Sequence, residues 1–212
     1  VTNNAVRGSL VLLFSSKERI RRYLLCILSG MPIWTIIGIL VTFAPEVAAS
    51  LKVQGPVTAG KAVLYTYIGL CVGDLSSGLM SQWLRSRRKV LFLFIFFSLC
   101  SAFLIIQSEN ISSATFHLLY LPLGISLGYW AVFITVAAEQ FGTNLRATVA
   151  TSVPNFVRGA AVPMTLLFHY LLPVYGVIYS AASAIVFSII LAFAAVWALR
   201  ESFEYDLDFI ED

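Results

Sequence analysis

The sequence predicts an all-α membrane protein of six transmembrane helices, and three observations carry that expectation. Hydrophobic residues make up 59% of the chain and charged residues only 12%. The mean hydropathy of +0.87 is far from the balance of a water-soluble domain. A helix needs about 20 predominantly apolar residues to cross a hydrocarbon core of roughly 30 Å, and six runs meet that requirement: 23–45, 61–84, 90–107, 116–138, 147–171 and 176–199. None of them alternates apolar and polar residues as a barrel strand does, which leaves a helical bundle.

Taken in order, residues 1–22 precede the first run. GSLVLLFSSKERIRRY couples a short apolar patch to a basic stretch, a composition expected of a linker or a helix lying along the cytoplasmic membrane surface. Residues 23–199 form the expected six-helix bundle. Its first span carries an interior proline followed by an aromatic residue, Pro32 and Trp34. The second holds a bare carboxylate, Asp74, within GLCVGDLSSGLM, and the third, VLFLFIFFSLCSAFLII, has no charge. The same types then recur: Pro122 with Tyr129 and Trp130 in the fourth span, Arg158 in the fifth, no charge in the sixth. Two triplets of kinked, charged and plain spans fit two inverted three-helix repeats. Residues 200–212 are acidic and are expected to form a soluble, frayed tail.

The cations set an orientation. Arg7, Lys17, Arg19, Arg21 and Arg22 precede the first span, and Arg85, Arg87, Arg88 and Lys89 follow the second. Arg146 follows the fourth and Arg200 the sixth. If the spans alternate, all of these share one side, against only Lys52 and Lys61 on the other. The excess of basic residues on the cytoplasmic side of membrane proteins puts both termini in the cytoplasm. The net charge of +3 follows from this asymmetry and is no argument for nucleic acid as a partner. Cys26, Cys71 and Cys100 lie inside apolar spans with no Cys or His at metal-ligand spacing, so they read as packing residues, and no metal or cofactor is expected.

Asp74 and Arg158 carry the chemistry. Asp74 lies 11 residues before Arg85 and Arg158 lies 12 after Arg146, roughly 16 and 18 Å in from the basic side. A charge left in hydrocarbon costs several kcal/mol, so each needs a partner or a water-filled cavity. Their equal depth makes each the other's candidate partner. Helical spacing puts Cys71, Asp74, Ser77, Gly78 and Ser81 on one face, and Thr151, Asn155, Arg158, Thr165 and His169 on another. A polar stripe on an apolar helix faces protein or water. Arg158 and Asp74 are expected to bind a solute or couple protons, with Asn155 one turn away and Trp34, Tyr67, Tyr129 and Trp130 as candidate stacking surfaces. The competing reading is a structural ion pair that holds the helices in register. Gly124 and Gly128 are spaced for close helix packing, or for a hinge.

Three motifs point to one family. AEQFGTNLRATV (138–149) resembles the acidic–aromatic–Pro–Thr–x–x–Arg connection between the tenth and eleventh helices of major facilitator superfamily transporters, especially sugar and metabolite porters. Glu139, Phe141, Thr143 and Arg146 match, and Gly142 stands in place of the proline. RESFEYDLDFIE (200–211) is similar to that family's Pro-Glu-Thr…Asp-Leu tail, with Arg200 for the proline. LMSQWLRSRRKVL (79–91) resembles its loop between the eighth and ninth helices: Arg87, Arg88 and Lys89 fit, while Ser86 and Trp83 replace a glycine and an aspartate. The resemblance covers the chain as the seventh to twelfth helices, one half of that fold. It implies a cytoplasmic gate of Glu139, Arg146, Arg87 and Arg88. It also implies a partner in the missing N-terminal half, and it agrees with a chain that opens on Val1 and not on Met.

The expected function is therefore half of a secondary transporter in the lipid bilayer, in the bacterial inner membrane. It would move a small polar or anionic solute by alternating access, with ion or proton coupling. Six helices alone would also expose their cavity face and self-associate. The alternatives are a complete six-span protein working as a homo-oligomeric channel or carrier, and an intramembrane enzyme. The enzyme reading fails on motifs, since neither Gly-x-Ser-Gly nor His-Glu-x-x-His occurs.

Overall fold

The computed structural model describes residues 8, 10–204 and 208–211; Arg7 of the basic segment and residues 205–207 and 212 of the tail lie outside the described residues. Most of the described residues are helical: α1 (Leu10–Phe14), α2 (Lys17–Ile36, continued by a π turn at Ile37–Val41), α3 (Ala44–Ser50), α4 (Ala59–Trp83), α5 (Arg87–Ile106), α6 (Ser113–Leu118), α7 (Tyr120–Leu127), α8 (Trp130–Glu139), α9 (Thr143–Gly159) and α10 (Ala161–Ala198). Five helical runs are long and apolar enough to cross a membrane: Lys17–Val41, Ala59–Trp83, Arg87–Ile106, Ser113–Glu139 and Thr143–Ala198.

The last run, 56 residues, would reach about 84 Å if straight, well beyond any bilayer. It folds back instead. Gly176 adopts φ 71° and ψ 176°, a region open essentially to glycine alone. The Gln140 side-chain amide, just before the run, donates to the carbonyl of Arg200, just after it, at 2.9 Å. Start and finish therefore meet at one end, and the run is a hairpin of limbs 143–175 and 177–198. The second limb returns along α5, with Phe92 stacked on Phe193 and Arg88 donating to the carbonyls of Val196 and Trp197.

Breaks in the first and fourth runs have separable causes. Pro32 inside α2 removes one backbone donor, and the helix widens to a π turn five residues later. Tyr120 donates to the Leu40 carbonyl in that turn at 2.9 Å. In the fourth run Pro122 lies in the first turn of α7, where proline is tolerated. The sharp interruption comes at Gly128 and Tyr129, before α8 restarts at Trp130.

Alpha-4 and α7 run side by side in the same direction with their backbones in contact. A Cβ at Gly69 would stand 2.9 Å from the Ile125 amide nitrogen; one at Gly124 would strike the Thr66 carbonyl oxygen; one at Gly128 would strike the backbone of Gly73. Close packing is thus the role of Gly124 and Gly128, answered by Gly69 and Gly73 on the facing helix. At the end away from the basic residues, the connections are tied. Gln54 receives a bond at its carbonyl from Ser113 and donates to Ile111, both at 2.8 Å. The His117 ring bridges the Ser113 carbonyl and the Thr58 amide, a hydrogen-bonding role.

Two expectations need correction. Helix α2 starts at Lys17, so the boundary expected at residue 23 falls inside a helix and only α1 is left as a separate short helix. The described residues of the tail are not frayed. They dock on the basic end: Thr143 donates to the Phe209 carbonyl at 2.8 Å, and Asn144 and Glu211 exchange two hydrogen bonds of 3.0 Å. The Glu211 carboxylate meets Arg22 at 2.9 Å and Arg19 at 3.6 Å. Acidic composition marks a solvated tail only when no basic surface waits for it. Gly142 gives way to this tail, since a Cβ there would lie 2.8 Å from the Phe209 oxygen.

Candidate functional site

The two intramembrane charges are not paired with each other. The Asp74 carboxylate accepts the backbone N–H of Ala131 at 3.1 Å. That amide belongs to the first turn of α8, where unpaired N–H groups and the helix dipole favour an anion. The break at Gly128 therefore creates the partner that Asp74 takes. Asp74 lies within the same α4 segment as Gly73, which touches Gly128, so the glycine seam brings the carboxylate up to the helix start.

Arg158, in the last turn of α9, donates to the Asn155 side-chain oxygen at 3.1 Å. Its guanidinium carbon lies over two indole rings, 5.3 Å from the centroid of Trp34 and 5.7 Å from that of Trp130. The rings meet edge to face at 6.0 Å. Such contacts are worth about 0.5–1 kcal/mol at an exposed site, and Arg158 is exposed. Trp130 and Ala131 are neighbours, so Arg158 and Asp74 grip the same helix start, one through a side chain and one through the backbone. The link between them is the first turn of α8.

Thr151, Asn155 and Arg158 follow one another along an exposed face of α9, joined by the Asn155 amide donating to the Thr151 carbonyl. Farther along, in α10, half-buried Thr165 lies near Gly38 and exposed His169 packs against Phe43 and Phe168. On α4, Cys71 is exposed while Ser77 and Ser81 are buried, so the other expected face divides. Tyr129 is fully buried and its hydroxyl points to the Ser29 carbonyl at 3.5 Å. It packs behind the cluster and does not line the open face. Of the two neighbours, Trp130 is the one that meets Arg158.

At the basic end, Arg87 and Glu139 form a two-pronged pair of 2.6 and 2.8 Å. Ser202 donates to the same carboxylate at 2.6 Å, and Phe203 lies beneath the guanidinium at 5.7 Å. Glu139 is thus joined to Arg87 across 52 residues of chain, while Arg146 reaches the Phe141 carbonyl at 3.5 Å. Of the four expected gate residues, Glu139 and Arg87 meet directly. Arg88 ties the start of α5 to the end of α10.

Glu201 and Glu211 are the partners the sequence left unassigned to sites. Glu201 caps α5: its carboxylate accepts from the Ser86 hydroxyl, and from the amides of Arg87 at 3.0 Å and Arg88 at 3.3 Å. The signal available was an acidic tail beside an excess of basic residues. Partial burial alone would push the Glu201 carboxyl up, but bonds from Ser86 and from the Phe203, Arg87 and Arg88 amides outweigh it and hold it below the usual glutamate range. A depressed folded-state pKa gives stability that is present above the unfolded value of about 4.3 and lost as pH falls through the folded one. The expected result is a thermal midpoint that declines on acidification below about pH 5, with a smaller decline in Glu201→Gln. Midpoints measured across pH 3–7 in detergent check this.

No family model matches the chain, and neither the curated proteins nor the solved structures give a significant match.

Proposed function

We propose that the chain is the six-span half of a major facilitator-type secondary transporter, moving a small polar or anionic solute across a lipid bilayer by alternating access. The observation that carries this reading is the mid-depth cluster of Asp74, Arg158, Asn155, Trp34 and Trp130 at an interrupted helix. Ionisable groups at that depth mark solute or ion pathways, and interrupted helices supply the binding ends in transporters. Counting the hairpin limbs 143–175 and 177–198 as two passes brings the total to six. The basic end then faces the cytoplasm with both termini, and the Arg87–Glu139 pair acts as a cytoplasmic gate contact that stabilises one access state. Asp74, held by backbone amides at the start of α8 and by no cation, is the group suited to take up a proton as that state changes.

Alternating access needs a second bundle, so the exposed face of α9 is the surface that meets the N-terminal half. A homo-oligomeric carrier is the second reading, because the same open face would accept another copy. Uptake into proteoliposomes by full-length protein carrying Asp74→Asn or Arg158→Gln is the test. Loss of at least tenfold in rate is expected for each, with altered pH dependence in Asp74→Asn. Unchanged uptake and pH profile in both variants would remove the cluster from the mechanism.

A further inference from the structure

We propose that the cluster takes a monocarboxylate, gripped by Arg158 while the indoles of Trp34 and Trp130 receive its body. This rests on the transporter reading for its setting, and on charge for its content. Of the chain's 11 acidic residues, Glu18 and Glu139 lie at the ends of membrane-length runs and Asp74 alone lies well inside one, its carboxylate engaged by the Ala131 amide. No carboxylate among the described residues pairs with Arg158. Its protein partners are one neutral amide oxygen and two ring faces. A guanidinium offers five N–H donors in a planar fork, and one nitrogen is spent on Asn155. The remaining donors look out from an exposed face, and the indole N–H of Trp34 is buried without an acceptor.

An unneutralised cation at mid-depth calls for an anion. A lipid headgroup does not reach it, because Arg158 lies roughly 18 Å in from Arg146 along the helix. A dianion such as a phosphate ester calls for a second cation, and every other arginine and lysine lies toward the ends of the runs. One fork with flanking aromatic faces fits one carboxylate on a body that stacks: an aryl ring or the apolar face of a sugar acid.

The test is intrinsic fluorescence of the full-length protein in nanodiscs, in a Trp83→Phe/Trp197→Phe background. Those two indoles are outward-facing and highly exposed, so Trp34 and Trp130 then provide this half's signal, and the same titration of Trp34→Phe/Trp130→Phe subtracts any other. Benzoate, gluconate and lactate are titrated, each against its own amide. At least one acid is expected to bind about tenfold or more tighter than its amide. Arg158→Gln should abolish that preference, and Arg158→Lys, which keeps the charge without the fork, should retain part of it. Amides binding as tightly as acids, a preference that survives Arg158→Gln in folded protein, or no acid binding at all would overturn the proposal. Uptake assays separate the two readings. Accumulation of a neutral sugar without acid binding sinks the carboxylate and leaves transport standing; acid binding without accumulation does the reverse.

Discussion

Replacing Arg87 with alanine is expected to lower stability by about 3–5 kcal/mol, the range for removing one member of a sheltered ion pair. The loss has several parts. The guanidinium makes both bonds to Glu139, a further one to the Ser81 hydroxyl at 3.3 Å, and the contact with Phe203. Side-chain exposures of 17% for Arg87 and 10% for Glu139 mean that little water is available to replace those partners. Glu139 would be left buried with only Ser202 donating to it. Arg87→Lys keeps the charge without the two-pronged geometry and should recover only part of the loss. Thermal or denaturant unfolding of Arg87→Ala, Glu139→Gln and the double variant forms a cycle, and a coupling of about 1–3 kcal/mol is expected. Additive single effects would show that the pair does not act as a unit.

Gly124→Val is expected to be the most damaging single substitution in the bundle. Its Cβ would collide with the Thr66 carbonyl and stand 3.0 Å from the Gly69 Cα, both backbone atoms of a helix that has no rotamer to change. Overpacking costs about 1–3 kcal/mol where side chains can yield, and here they cannot, so the cost should lie above that range. Separation of α4 from α7 would also carry Asp74 away from Ala131. The expected outcome is poor recovery of folded protein by size exclusion in detergent. Gly78→Ala is the control, because nothing lies within 4 Å of a Cβ at that position. Equal behaviour of the two variants would refute the seam.

The helical runs were legible in the sequence because hydropathy sums over about 20 residues and tolerates local error. The hairpin was legible too, since the PVYG stretch around Gly176 divides its limbs. The partner of Asp74 was not. Counting residues fixes depth along a helix but not the direction a side chain faces, and it does not reveal where a neighbouring helix stops and restarts. Once α8 begins at Trp130, a free amide sits nearer than any arginine. Tyr129 and Trp130 show the same limit: adjacent in sequence, they turn to opposite sides of the break, one into the core and one to Arg158. The tail was misread for a further reason, since Arg22 and Glu211 stand 189 residues apart and no local pattern joins them.

That long-range clasp has a consequence for how the chain is made. Arg19 and Arg22 stand near the start of α2 and Glu211 stands beyond α10, so the clasp closes only once all the described helices have been made. Until then the two arginines lack this carboxylate, and the finished contact acts as a lock between the two ends of the helical bundle.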